Sequence, residues 1–402
     1  MRGSSMGCLL TGVQARRERM KCLWTTKPDS GKPRQTLTMS ALLATRLEEV
    51  SPTQRRTALK LLWMALHGTW LSIASNIIVV SLAIMDCLTK NTYLAASLGT
   101  RFVTGIVGCS TAQIFYIFRR AALGAALERM SVVAKDLEAL QNPFISAELE
   151  RVAAQCYRLR RIVLAYEGMV VVSILLPTLL AGQLSMPTWP RPEDTAAPRL
   201  VYAAMFTVQL ITGTSCPIAF YSFVGLLGSA HMACAALFRG AGTAVATARG
   251  TVELRVVTQL HAVLCESASL LDAVTSAGLP MLFVGVLALP IQGTYDAVQG
   301  QVDGYLLSSA PIIIVVFVPL CYSAQAMSDA SAEVGLSAYR GAWPAEDARA
   351  RFIRTMVMLR ATRPAQFTCK GLGAVGLPAC QSVLRSWFSY LQMLLNFAKD
   401  GG

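Results

Sequence analysis

The sequence predicts an all-α membrane protein of seven transmembrane helices, N-terminus cytoplasmic and C-terminus extracellular, and two observations carry that prediction. Seven apolar stretches, each near the ~20 residues a bilayer crossing needs, recur along a chain that is 54% hydrophobic and only 15% charged. Lysine and arginine alternate with them. Of the chain's 36, 30 fall in residues 1–60, 119–161, 228–270 and 326–370, and the intervening connections are nearly bare. An odd number of crossings places the termini on opposite sides, and the basic segments mark the cytoplasmic one. The same asymmetry accounts for the net charge of +13 without a nucleic-acid partner, since a soluble basic patch would not be interrupted by seven spans.

The elements follow in order. Residues 1–59 form a basic cytoplasmic segment with turn material at "KPDSGKP". Its apolar run is too short, and its charges too late, for a signal peptide, so the first span is expected to direct insertion itself. "MGCLLT" from Met6 would be a myristoylation motif only if translation began there. The spans are expected at 60–85, 92–118, 162–184, 199–228, 270–293, 305–327 and 372–397. Residues 119–161, rich in Ala, Leu, Glu and Arg, read as helix continuing below the membrane, and 229–269 and 326–362 look similar; together they predict a cytoplasmic helical bundle in which subunits could pack. The outer connection "SMPTWPRPEDTAAP" reads as a stiff, extended cap. The absence of an internal repeat argues against a transporter built from duplicated halves.

Catalytic and metal motifs are missing. Eleven cysteines are scattered without a CxxC, which argues against a disulfide framework. His231 with Cys234, and His261 with Cys265, do not amount to a zinc set. "GLGAVG" at 371–376 matches a dinucleotide fingerprint by letter but lacks the preceding strand and the later acid, so its small residues are expected to let helices approach closely. No Walker A, G-x-S-x-G or HExxH occurs, so neither an enzyme nor a cofactor is expected. Among the membrane charges, Asp86 and Asp272 lie near span ends and are expected to be solvated. Arg101 and Glu167 lie deeper and call for an ion partner, a route to the headgroups, or a function. In the last span Ser382, Arg385, Ser386, Ser389, Gln392, Met393 and Asn396 share one face, opposite Val383, Leu384, Trp387, Phe388, Leu391, Leu394 and Leu395. A polar stripe of this kind must face protein or water, as a helix seam or along an aqueous path.

The C-terminal fifth resembles the insect odorant receptors. The residues that carry the resemblance are Cys321, Ser331, Val334, Ala338, Tyr339, Trp343, Arg360, Arg363, Pro364, Ser386, Ser389 and Tyr390, with "MPTWPRPED" similar to the family's Pro-Trp-Pro pattern after the third helix. Two departures stand out: Ala379 or Cys380 where the family often has Phe, and Lys370 at the start of the last helix. The chain also lacks the long insertion of the co-receptor subunit, and so resembles a ligand-tuning subunit. Gustatory receptors share the topology but end in a different Thr-Tyr motif; a polytopic transporter is the rival from another class. A G-protein-coupled receptor is disfavoured by the charge orientation.

The resemblance implies a tetrameric, nonselective cation channel in the plasma membrane of olfactory neuron dendrites, formed with co-receptor subunits, gated by a small volatile odorant, surrounded by membrane lipid and conducting cations. It further implies a six-helix ligand-binding bundle at 60–328, a cytoplasmic anchor and coupling segment at 329–371, and a pore-lining helix with a short tail at 372–402. By analogy the pore is lined by Arg385, Ser386, Ser389, Gln392, Met393 and Asn396, with Met393 at the constriction. The odorant site, carried over by depth in the bundle, falls at Phe102, Leu175, Leu179, Tyr202, Phe206, Gln209, Ser309 and Ile313.

Overall fold

In the computed structural model the described residues are 38–50, 70–90, 93–182, 184–300, 306, 311–371 and 373–400. The helices are α1 (Met39–Val50), α2 (Trp70–Lys90), α3 (Tyr93–Ala139), α4 (Pro143–Ala181), α5 (Pro198–Thr247), α6 (Gly250–Thr275), α7 (Leu279–Val298), α8 (Val318–Tyr339), α9 (Ala348–Ala361) and α10 (Leu377–Asp400). A π-helical turn, Ile313–Phe317, leads into α8. Strands β1 (Thr368–Cys369) and β2 (Gly373–Ala374) form an antiparallel hairpin just before α10.

Among the described residues, Trp70–Thr89, Gly99–Ala139, Pro198–Thr247 and Ile313–Tyr339 are long and apolar enough to cross a membrane, and Leu282–Val298 is a shorter apolar helix. With α4, packed along α5, and α10, packed against α7 and α8, they make a bundle of seven. Helices α3 and α5 have 47 and 50 residues; at 1.5 Å per residue each is about 70–75 Å long, more than twice the hydrocarbon thickness. Both therefore run on into a lower body, where α1, α6 and α9 join them. The densest core lies there, around the fully buried Leu227, Leu237, Phe238, Leu127, Met130 and Leu149.

Several boundaries differ from the sequence expectation. The fifth span begins at Leu279, not at 270, because Gly278 and Pro280 interrupt the apolar run; proline has no N–H to give the preceding turn, so a new helix starts where one span was expected. The last helix begins at Leu377, not 372. "GLGAVG" is the hairpin instead: Gly371 and Gly373 take φ of +88° and +81°, which an L side chain rarely adopts, so these glycines make a turn and do not serve helix packing. The first span extends to Lys90, and its expected start at 60–69 lies outside the described residues, as does Met6.

Charges inside the bundle are organised. Arg101 of α3 meets Asp296 of α7 at 3.0 Å, with side chains 5% and 1% exposed. Asp86, expected to be solvated, is buried at 1%. Asp272, also expected to be solvated, accepts from the Thr368 backbone N–H (2.6 Å) and hydroxyl (2.8 Å), and so holds the hairpin to the end of α6. Asp296→Leu, by leaving Arg101 buried against no carboxylate at this contact, is expected to destabilise the bundle by about 3–5 kcal/mol. Fluorescence-detected thermal unfolding in detergent measures this, and the exchanged pair Arg101→Asp with Asp296→Arg should recover part of the loss.

Candidate functional site

Two features stand out, a cavity within the bundle and an unpartnered face on α10. The cavity, a void of about 60 Å³, sits where α3, α4, α5 and α7 meet the start of the π turn. Its wall is mostly apolar: Phe102 and Ile106 of α3, Ile174 of α4, Phe220 of α5, Leu289 of α7 and Ile312. Glycines make the space. Gly108 and Gly285 face each other so closely that a Cβ on either would lie 3.1 Å from the other's Cα, and a Cβ on Gly213 would meet Ile174 at 3.2 Å and Met186 at 3.5 Å.

Met186, from the connection between α4 and α5, roofs part of the cavity. That residue is buried because Gln209 holds its backbone from both sides: Oε1 accepts the Met186 N–H at 3.1 Å and Nε2 donates to its carbonyl at 2.9 Å. Two turns higher, the Tyr202 hydroxyl donates to the Gly182 carbonyl at 2.9 Å, and its ring stacks on Phe206 at 6.3 Å. Pro217, inside α5, also lines the cavity.

The residues expected from depth alone therefore separate. Phe102 lies on the wall. Ile313 is buried beside the wall residue Ile312, and Leu175 packs behind Gly213. Gln209, Tyr202 and Phe206 hold the connection that forms the roof. Leu179 is 65% exposed on the outside of α4, and Ser309 lies outside the described residues. Met186 is absent from the sequence expectation, and composition does not single it out, since Leu184 and Trp189 lie in the same connection.

Helix α10 packs through Cys380, Val383, Leu384, Trp387 and Leu394, while Arg385, Ser386, Ser389, Gln392, Met393 and Asn396 are all exposed, Met393 by 45%. The two serines turn their protons back into the helix: Ser386 donates to the Ser382 carbonyl (3.0 Å) and Ser389 to that of Arg385 (3.1 Å). Their outward-facing capacity is thus lone pairs, which suits a cation more than an anion.

Below both features lies the lower body. Arg354 of α9, fully buried, donates from Nε to both Glu346 oxygens at 2.8 Å, from Nη1 to the Val245 carbonyl at 2.7 Å and from Nη2 to that of Ala248 at 3.0 Å. A longer contact reaches the Ala338 carbonyl at 3.4 Å, so one guanidinium serves the last turns of both α5 and α8. The segment leading to α10 is tied down likewise. Ser331 of α8 accepts the Ala365 N–H at 2.8 Å, Lys370 N–H donates to Ser276 at 3.1 Å, and Phe367 packs edge-on against His231 at 4.1 Å. His261 and Cys265 do approach, at 3.6 Å, yet among the described residues no group of three could hold a metal ion. Burial, with the Arg360 guanidinium as a second cause, holds His261 neutral by lowering its pKa to about 4.

Comparison with known proteins bears on this arrangement. No curated protein matches the chain at a significant level. Residues 310–388 match the family model for the 7tm Odorant receptor. The chain is similar in fold to the insect olfactory receptor OR5 from Machilis hrabei in complex with eugenol, with a TM-score of 0.66 at 12% identity, over 89% of this chain and 97% of that one. A second structure of that receptor gives 0.63 at 12% identity, over 88% and 96%. At such identity the likeness speaks to the seven-helix membrane fold; the family match covers α8, α9, the hairpin and about half of α10.

Proposed function

We propose, from the insect odorant receptor family that the match over residues 310–388 and the shared fold support, that this chain is a tuning subunit of an odorant-gated, nonselective cation channel. The observation that carries the reading is the exposed stripe of α10. A helix that packs through Val383, Leu384, Trp387 and Leu394 and leaves its polar stripe, broken only by Met393, exposed is incomplete as a monomer. Four such faces around an axis make a hydrated path with an apolar ring. The other subunits are odorant receptor co-receptors, the permeating ions are cations, the ligand is a small volatile in the cavity under Met186, and the chain is a multi-pass protein of the plasma membrane with its N-terminus cytoplasmic.

Gating requires that the ligand prefer the open state. The cavity touches the helix that becomes α8 through Ile312, and α8 runs unbroken into the lower body, where Arg354 and the hairpin connect it to the base of α10. A ligand that moves the upper end of α8 therefore acts on the pore helix through covalently short, hydrogen-bonded steps.

Voltage-clamp recording from cells expressing the chain alone and with an insect odorant co-receptor, under a panel of volatiles, tests the reading. Currents in the co-expressing cells alone support a tuning subunit; saturable uptake without current would overturn it. Gln209→Leu should raise the agonist concentration for half-maximal current by about tenfold or more, because a buried Met186 backbone left without two hydrogen bonds costs at least ~1–3 kcal/mol and unseats the roof. An unchanged dose response would remove Met186 from the ligand site.

A further inference from the structure

The cavity wall carries few hydroxyls, and where their protons go restricts the ligand. Thr212 lines the cavity. A helical threonine usually turns its proton back to its own helix, as Thr207 does to Ala203 and Thr214 to Leu210, both at 2.8 Å. At Thr212 the corresponding carbonyl, that of Val208, is engaged by Ser75 of α2, whose hydroxyl donates to it at 3.0 Å. Ser75 has one proton. Either hydroxyl can donate in the 2.8 Å contact between Ser75 Oγ and Thr212 Oγ1, and both contacts are satisfied together when the proton there is that of Thr212. This leaves Thr212, a residue of the wall, with lone pairs on Oγ1 and no proton to offer a ligand.

The arrangement is held by neighbours. Gln113 Nε2 donates to Ser72 Oγ at 2.9 Å and to the Ser215 carbonyl at 3.2 Å, and Asn76 Nδ2 donates to Gln113 Oε1 at 2.9 Å. These side chains, all buried, fix α2 and α3 against the stretch of α5 that contains Thr212. Tyr221, the other hydroxyl of the wall, is engaged with Tyr166. The wall's further donors are the thiols of Cys109 and Cys216, which are weak.

Resting on the odorant-site reading of this cavity, we propose that the ligand is a hydroxylated volatile, an alcohol or phenol, whose O–H donates to Thr212 Oγ1. A ketone, ester or ether of the same shape places its own lone pairs against that oxygen and finds no strong donor in exchange. Thr212 is thus a specificity residue, and Ser75 the positioning residue that sets its polarity.

The test is agonist-evoked current in cells co-expressing the chain and an insect odorant co-receptor, using small secondary alcohols paired with the ketones they become on oxidation. Each pair is nearly equal in size and differs in the donor. The alcohol should be more potent by about tenfold, the worth of one hydrogen bond in a dry site. Thr212→Val should remove that difference by weakening the alcohol and leaving the ketone, while Thr212→Ser preserves it; Thr212→Ala serves if the valine variant does not reach the surface. Ketones as potent as their alcohols, or an alcohol preference that survives Thr212→Val, would overturn the inference while the receptor reading stands. Silence toward every volatile, in cells where an agonist of the co-receptor still opens the channel, would overturn the receptor reading and this inference with it.

Discussion

Arg354→Leu should abolish surface expression of the protein, or reduce it to a small fraction. The guanidinium is fully buried and satisfies Glu346 together with carbonyls at the ends of α5 and α8. Its removal leaves a buried carboxylate and two helix ends without partners, a loss of about 3–5 kcal/mol for the pair alone, comparable with the whole stability margin of a domain. Lysine cannot substitute, since one ammonium cannot fork to Glu346 and reach two helix ends together. Surface biotinylation and size-exclusion profiles of Arg354→Leu and Arg354→Lys read the effect; a wild-type profile for either would mean that the lower body does not depend on this side chain. Glu346→Gln should be milder, because it keeps an acceptor facing Nε.

Substitution of Met393 should act on permeation without acting on folding. Its side chain is 45% exposed among the described residues, so Met393→Ala removes few contacts within the subunit. If four such positions close the path by excluding water, the smaller side chain should produce current without ligand, and Met393→Lys should cut cation current several-fold by placing a fixed positive charge there. Reversal potentials and resting conductance in co-expressing cells decide it. Identical gating and permeability in both variants would move the constriction elsewhere on α10.

How far these features could be read from sequence depends on what each requires. The spanning stretches announce themselves because apolar composition is local information. The break at Gly278 was missed because α6 ends in "ASLLDAV", an amphipathic helix whose apolar face runs without interruption into the apolar α7, and hydropathy averages over the face that distinguishes them. Helical periodicity fixes which side chains of α10 share a face, and the stripe residues are exposed, but so are Phe388 and Leu395 on the opposite side, which periodicity does not foretell. The cavity was legible only in height. Depth brings Phe102 to the wall but gives no azimuth, so Leu179 points outward and Gln209 grips the roof. Partners far apart along the chain, such as Arg101 with Asp296 or Ser75 with Thr212, emerge only from the packing.

Helix α5 links the cavity to the lower body as a single rod, and Pro217 gives it a joint. Without an N–H at that position the rod lacks one backbone bond, and it bends there more readily than elsewhere. The joint stands level with the ligand space. The arm below it, from Pro217 to Thr247, is 31 residues, or about 45 Å at 1.5 Å of rise per step. The geometry is that of an unequal lever: a tilt of about 5° at the joint sweeps the far end by about 4 Å. If the cavity holds the ligand, as proposed above, a small displacement of its walls is geared through this joint to a movement as large as the spacing between packed side chains at the far end of α5.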